Sequence, residues 1–284
     1  MGKEKKPRNL REALKGRLSV KEMSLLQTAF DSLGDTAIIE IPDELLKKEK
    51  LIGNALLSLN KHFIAVYRKK GITSGEFRVL PLKLIAGKKL KKATYKESNS
   101  VFKISLGKVF FSPRLGTERL RIAKQIKKDE IIGALFAGVG PFPIVFARNS
   151  EMGLSYAVEL NPDAVKDMEE NIDLNKCKEK VIPLLGDVKK IVPMHLKGKC
   201  DRVVMPIPKT GNSFLNEAID CLKPKGGIIH FYFFGNKEKP FKEALEEIEK
   251  EVKKKKKKKR ILLKRIVRPF SPAIVQVVID FKVY

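Results

Sequence analysis

The sequence predicts a small α+β domain followed by a larger α/β domain built on a seven-stranded, mostly parallel sheet. Three observations predict it. From about residue 117, apolar runs of strand length alternate with amphipathic stretches of helix length, the pattern of a sheet covered on both faces. The run IIGALFAGVGPF (131–142) ends in a glycine turn, and SYAVELN (155–161) ends the next run in an acid, Glu159, 21 positions after Gly138. Two strand-like runs, RILLKRIVRPF and AIVQVVIDF, close the sequence with no helix between them, which an antiparallel pair accommodates.

Residues 1–24 read as a charged extension, mobile or helical. Met23, Leu26, Ala29 and Phe30 at helical spacing predict a helix over 20–33. Residues 36–41 alternate as a short strand ended by Pro42, and Asp43 is the expected N-cap of a helix reaching about Lys61. Short strands follow at 63–67, 77–80, 93–96 and 101–106, so residues 25–112 form the α+β domain. A helix over 118–126 opens the α/β domain, 113–284. Its strands are predicted near 131–135, 155–159, 181–185, 201–205, 227–234, 261–267 and 274–283. Its helices are predicted near 141–148, 162–175, 212–222 and 239–252.

The net charge is +26, and the run 253–260 carries eight of those charges, so most of the excess is spread along the chain. A field of that size favours a polyanionic partner. A lysine-rich proteome or a hot habitat would produce the same bias, and the absence of Trp suits the latter. Cys177, Cys200 and Cys221 form no C-x-x-C pair and read as reduced core residues of a cytoplasmic protein. His62, His195 and His230 are scattered, so no metal site is expected, and His230 within IIHFYFF reads as a satisfied core histidine. Apolar stretches are too short to cross a bilayer, MGKEKKPRNL has no secretory h-region, and a monomer is expected.

Ligands of open α/β sheets sit beyond the carboxyl ends of the strands, where Phe136, Gly138 and Gly140 should line the crevice. Two oxygens of Glu159 match the two vicinal hydroxyls of a ribose. Asn161 either touches the cofactor or caps the next helix. Asp187 either meets an adenine amino group or is a plain loop acid. Pro143 occupies the third glycine position of G-x-G-x-x-G, so the fingerprint is not the dinucleotide one.

FAGVGPF instead resembles the first motif of S-adenosylmethionine-dependent methyltransferases. Further strings are FSPRLGTERLRIA (111–123), GEFR (75–78), VELNPDAV (158–165), LLGDV (184–188), DRVVMPIPK (201–209) and RIVRPFSP (265–272). Together they resemble the archaeal and eukaryotic tRNA (guanine-37) N1-methyltransferases from about residue 20 onward. The resemblance implies a class I methyltransferase fold, S-adenosylmethionine as cofactor and methylation of the base 3′ to the anticodon. It also implies an α+β module that helps hold the anticodon stem-loop. Arg114, Glu118 and Arg119 match the family's S-P-R…E-R residues, with Arg119 assigned to the cofactor, and Arg78 matches the arginine of G-E-F-R. Guanine N1 must lose a proton to become nucleophilic, which suits Glu118 as general base. Arg78 or Arg114 could stabilise the developing enolate, or bind phosphate. Taken without the family string, Glu118 reads as a first-turn acid complementing a helix dipole.

Two departures stand out. Ala134 occupies a position where many relatives carry an acid, which throws cofactor binding onto Glu159. The usual Asn-Leu-Pro reads Pro206-Ile207-Pro208, a P-x-P form resembling an archaeal branch whose members also methylate C7 of 4-demethylwyosine. Pro206 and Pro208 would then line the base pocket with apolar rings. Only about 20 residues precede the α+β module, so the additional N-terminal domain of many relatives is expected to be missing, with little dependence on the tRNA elbow. Lys88, Lys89, Lys91 and Lys92 form a basic cluster suited to RNA phosphates, whereas the run 253–259 reads as a solvated helix end. Alternative readings are an aminocarboxypropyl transferase of wyosine synthesis and a non-catalytic RNA-binding protein on a decayed methyltransferase fold; a nucleotide-dependent oxidoreductase is the weakest.

Overall fold

The computed structural model describes residues 7–71, 79–206 and 214–284. The chain divides into two compact units, Met1–Glu97 with Val101–Arg114 and Ser98–Ser100 with Leu115–Tyr284.

In the first unit, residues expected to be a charged extension form α1 (Leu10–Leu14) and α2 (Val20–Leu25). Asn9 caps α1 and a Ser19–Glu22 capping box opens α2. Leu10 and Leu14 are buried in the core of this unit with Leu45, Ile52 and Leu56. The helix expected over 20–33 stops at Leu25. Phe30–Leu33 is instead a strand, β1, paired antiparallel with β2 (Thr36–Ile39). Gly34 between them has φ +59, and a Cβ there would lie 1.7 Å from the Thr94 carbonyl oxygen. The tight turn that only glycine allows overrides the helical spacing before it. Asp43 is not an N-cap: Pro42 holds that position, Asp43–Lys48 is a 3-10 turn, and α3 begins later (Glu49–Leu59). β3 (Ala65–Lys69) runs parallel to β2 and β4 (Leu82–Gly87) antiparallel to β3, giving the order β1-β2-β3-β4. β5 (Lys92–Glu97) and β6 (Ser100–Ser105) form a separate hairpin. Of the strand expected at 77–80, residues 77–78 lie outside the described residues.

The second unit follows the predicted alternation closely. In order it contains α4 (Gly116–Ala123), β7 (Ile131–Leu135), α5 (Pro141–Asn149), β8 (Leu154–Glu159), α6 (Pro162–Leu174) and β9 (Val181–Leu185). Then come α7 (Val188–Ile191), a π-helical turn (Val192–Leu196), β10 (Arg202–Met205), α8 (Leu215–Cys221) and β11 (Gly227–Asn236). It ends with α9 (Lys242–Lys254), β12 (Lys259–Pro269) and β13 (Ile274–Val283). The seven strands stand in the order β12-β13-β11-β10-β7-β8-β9. β11, β10, β7, β8 and β9 pair parallel, while β13 is antiparallel to both β11 and β12. β10 is buried along its whole length, which is why RVVM reads as a continuous rather than an alternating apolar run. Val192, Leu196, Leu215, Ile219, Ile248 and Val252 pack with sheet residues Leu135, Val203 and Ile279 in one core.

Both edges of the sheet carry interruptions. β9 holds Pro183 opposite Ala157, a residue that donates no hydrogen bond and is tolerated only at an edge. β12 carries five cations among its 11 residues and ends in Pro269. Among the described residues no helix is long and apolar enough to cross a membrane, and no His/Cys/Asp/Glu group is placed to hold a metal.

Candidate active site

The glycine turn lies at the carboxyl end of β7. Phe136 has φ 59, a left-handed conformation rare for an aromatic residue, and the Ala137 N–H donates to the Val158 carbonyl at 2.9 Å to hold it. Gly140, φ +84, is the N-cap of α5; a Cβ there would meet Met168 Cγ at 2.9 Å and Ile144 Cδ1 at 3.0 Å. Pro141 follows at the first helical position, where its missing N–H costs nothing.

Glu159, at the end of the neighbouring β8, is fastened to this turn. Its Oε2 accepts the Gly138 N–H at 2.7 Å, and its Oε1 accepts the N–H groups of Leu160 at 3.0 Å and Asn161 at 2.9 Å. Oε1 is thereby saturated, whereas Oε2 has a further lone pair to offer a hydroxyl. Asn161 is 4% exposed and caps α6, its Oδ1 accepting the Asp163 N–H at 3.0 Å. Asp187, at the end of β9, caps α7 through Oδ1, which accepts the Lys189 N–H at 2.9 Å. Pro206 directly follows β10. Phe136, Gly138, Gly140, Glu159, Asp187 and Pro206, expected at the site, therefore share the carboxyl edge of the sheet. Ala134 is buried within the sheet between Ala157 and Val204, so Glu159 is the acid beside the glycine turn.

Phe214 was not visible as a site residue in the sequence. Its ring meets Phe136 edge-on at 4.9 Å, and Lys189 Nζ lies 5.4 Å from its centre. Asn171 of α6 is fully buried and donates from Nδ2 to the Val139 carbonyl at 3.1 Å, bracing the turn from below. No spacing or motif marked either residue.

Glu118 sits in the first turn of α4 and is 1% exposed. Its Oε2 accepts two hydrogen bonds, from the Tyr232 hydroxyl at 3.0 Å and from Arg121 Nε at 3.0 Å. Its Oε1, equally buried, accepts none among the described residues, and Arg265 Nε stands 3.5 Å away. Burial, reinforced by the charge of Glu118, pushes the Tyr232 phenol well above its ordinary pKa, so it stays a donor. Arg119 is also 1% exposed, with its guanidinium 5.7 Å from the Phe142 ring of α5, the helix that starts at the glycine turn. Arg114 belongs to the first unit, where Nε and Nη2 both donate to Asp31 Oδ1, at 2.9 and 2.6 Å. Arg78 and Pro208 lie outside the described residues.

A glycine turn and an acid at the carboxyl ends of adjacent parallel strands, in a seven-stranded sheet with an antiparallel β13, define a class I methyltransferase domain. Comparison with known proteins agrees. Residues 93–262 match the TRM5/TYW2 methyltransferase domain and residues 10–90 the TYW2 N-terminal domain. The chain is 40% identical over 258 residues to the tRNA (guanine(37)-N(1))-methyltransferase Trm5b of Pyrococcus abyssi, covering 91% of this chain and 76% of that one. It is 33% identical to the tRNA (guanine(37)-N(1))/4-demethylwyosine(37)-methyltransferase Taw22 of Nanoarchaeum equitans, covering 78% and 88%. The solved complex of aTrm5 and tRNALeu superposes with a TM-score of 0.85 at 35% identity, covering 98% of this chain and 78% of that one. The chain belongs to the TRM5/TYW2 methyltransferase family.

Proposed function

We propose that this protein transfers a methyl group from S-adenosylmethionine to N1 of guanine 37 in tRNA. The observation that carries the reading is the Glu159 carboxylate, pinned by three backbone N–H groups beside a turn whose left-handed Gly140 leaves little room for a side chain. Those residues fit S-adenosylmethionine: Glu159 takes the ribose through the free lone pair of Oε2, and Gly138 and Gly140 admit the ligand against the backbone. Phe136 contributes an aromatic edge, and Asp187, whose Oδ2 takes no part in the cap, serves the adenine amino group. Asn161 acts through its cap and its N–H to Glu159, and Arg119 braces the cofactor side from α4. When bound, the cofactor supplies an electrophilic methyl on a sulfonium.

The chain's own groups make the base reactive. Glu118 takes the N1 proton, leaving the electron pair on the ring, and Arg78 or Arg114 steadies the charge that develops on the neighbouring oxygen. The target base leaves its stack to reach the crevice, which is cheapest in a loop. The first unit holds the anticodon stem-loop, with Lys88, Lys89 and Lys91 exposed toward phosphates. Lys92 belongs to the same basic stretch. The protein works as a monomer in the cytoplasm, which light scattering on the purified protein checks for the oligomeric state.

A second activity, C7 methylation of 4-demethylwyosine, is favoured by one observation. Pro206 offers the base only a carbonyl and an apolar ring at the end of β10, a lining that suits a larger, flatter tricycle. Pro208 is the second apolar residue of the same P-x-P string. Mass spectrometry of tRNA nucleosides after incubation with labelled S-adenosylmethionine tests both readings. The expected products are N1-methylguanosine from an unmodified transcript and a methylated tricycle from the wyosine precursor. Unmethylated guanine at position 37 refutes the first reading and an untouched tricycle the second. An aminocarboxypropyl adduct would identify the alternative transfer.

A further inference from the structure

We propose that Arg121 and Asp280 are positioning residues for Glu118, holding Oε2 of its carboxylate from behind and reserving Oε1 for the proton that leaves the substrate base. This rests on the reading of Glu118 as general base.

A continuous line of buried polar groups backs Glu118. Arg121 Nε donates to Glu118 Oε2, and the rest of its guanidinium grips Asp280, Nη1 to Oδ2 at 2.6 Å and Nη2 to Oδ1 at 3.3 Å. Asp280 Oδ1 lies 2.7 Å from His230 Nδ1, and His230 Nε2 lies 2.8 Å from Arg202 Nη1. A guanidinium only donates, so Nε2 is the acceptor and Nδ1 carries the proton given to Asp280. Arg202 is itself fixed by Glu130, at 2.8 and 3.2 Å, and by the Gln125 carbonyl at 3.0 Å. The register builds the line: His230 of β11 sits directly opposite Asp280 of β13, and Tyr232, two residues on, projects to the same face.

Two features separate this line from an ordinary buried ion pair. The hydrogen bonds on Glu118 are asymmetric, two on Oε2 and, among the described residues, none on Oε1, which has only the looser charge contact of Arg265 Nε at 3.5 Å, so the carboxylate is held in one orientation with Oε1 able to accept. A buried acceptor left without a donor is costly, and an N–H brought by a base removes that cost. The N1–H bond then breaks, its electrons stay on the ring, and the proton bonds to Oε1. The charges of the line are also steady near neutrality. Burial keeps His230 below its ordinary pKa despite Asp280, whereas burial at Asp280 is outweighed by the hydrogen bonds from His230 and Arg121 and by the charge of Arg121, which hold it at about 2.

The groups facing Glu118 are Arg121 of α4, Tyr232 of β11 and Arg265 of β12, with Asp280 of β13 behind Arg121. The test is single-turnover and steady-state methylation of tRNA by the full chain, with Glu118→Gln, Asp280→Asn, Arg121→Met and Arg121→Lys, folding verified by melting. Asp280→Asn and Arg121→Met are expected to lower kcat about 100-fold while both KM values stay within about twofold. Arg121→Met should also move the acid limb of the kcat–pH profile upward, because a cation beside the carboxylate is gone. Arg121→Lys should keep that limb in place on a lowered plateau. Should Asp280→Asn not fold, the two Arg121 variants decide. A wild-type kcat in folded Arg121→Met, or a loss confined to KM with the limb unmoved, overturns the proposal. If Glu118→Gln is inactive while the other variants match wild type, positioning alone is refuted. A fully active Glu118→Gln removes the base itself, and this inference with it.

Discussion

Exchanging Glu159 for Gln keeps the shape of the side chain and removes its charge. The carboxylate accepts three backbone N–H bonds, one on Oε2 and two on Oε1. An amide has one acceptor oxygen. Its best orientation keeps that oxygen on Leu160 and Asn161 and turns the NH2 toward the Gly138 N–H, donor against donor. Losing one charge-assisted hydrogen bond costs about 1.5–3 kcal/mol, and the partial exposure of Glu159 brings that to about 1–2 kcal/mol. The melting temperature should fall by about 3–6 °C. The cofactor loses more, because the oxygen that offered the ribose its free lone pair has become a donor. A loss of about 2 kcal/mol weakens S-adenosylmethionine binding roughly 30-fold. Titration calorimetry and melting with and without cofactor measure both effects. An unchanged affinity with a lowered melting temperature would show that Glu159 merely fastens the turn. No change in either would refute the hydrogen-bond reasoning altogether.

Gly140→Ala should destabilise the protein by about 1–3 kcal/mol, read as a lowered denaturant midpoint, because the new methyl meets Met168 and Ile144 at a left-handed φ. Acid should unfold the protein in two stages. His230, held below its ordinary 6.5 by burial, contributes stability that drains as pH falls below that value, because the unfolded chain takes up a proton the folded one refuses. Asp280, held at about 2 against an ordinary 3.8, contributes stability that is lost as pH falls from the ordinary carboxylate range toward 2. His230→Gln should abolish the first stage and keep the second; superimposable melting-versus-pH curves would contradict this. No thiol should react with a disulfide reagent at about pH 8 in the folded state. Burial raises Cys177 to about 11, a hydrogen bond from Cys200 together with burial raises Cys221, and Cys200 is fully buried. All three thiols should react in denaturant.

The second unit was legible in the sequence because its signals agree with one another. The strands predicted at 131–135 and 181–185 match β7 and β9, and Pro141 and Pro162 mark the starts of α5 and α6. The first unit was less legible because local rules conflict there. The helical spacing through Phe30 loses to the glycine turn at Gly34, and Asp43 loses the cap position to Pro42. α7 and the π-helical turn escaped notice, since VPMHL with its proline reads as a loop. At the site, the glycine turn and Glu159 form a local motif and could be read directly. The Arg121–Asp280 contact spans 159 positions and the Arg114–Asp31 contact 83, distances over which periodicity carries no information. Only the fold brings such partners together.

The two outer strands of the large sheet also bear on how the protein behaves at high concentration. An unpaired strand is a template onto which another molecule can hydrogen-bond, and a flat apolar rim invites stacking into fibrils. Here one rim is broken by a proline that cannot extend the ladder. The other interleaves exposed Leu262, Leu263 and Ile266 with lysines and arginines that repel a second copy of themselves. The excess of positive charge thus doubles as a safeguard against self-association. Neutralising Lys259, Arg260, Lys264 and Arg268 of β12, and leaving Arg265 beside Glu118 in place, should make the protein more prone to aggregate.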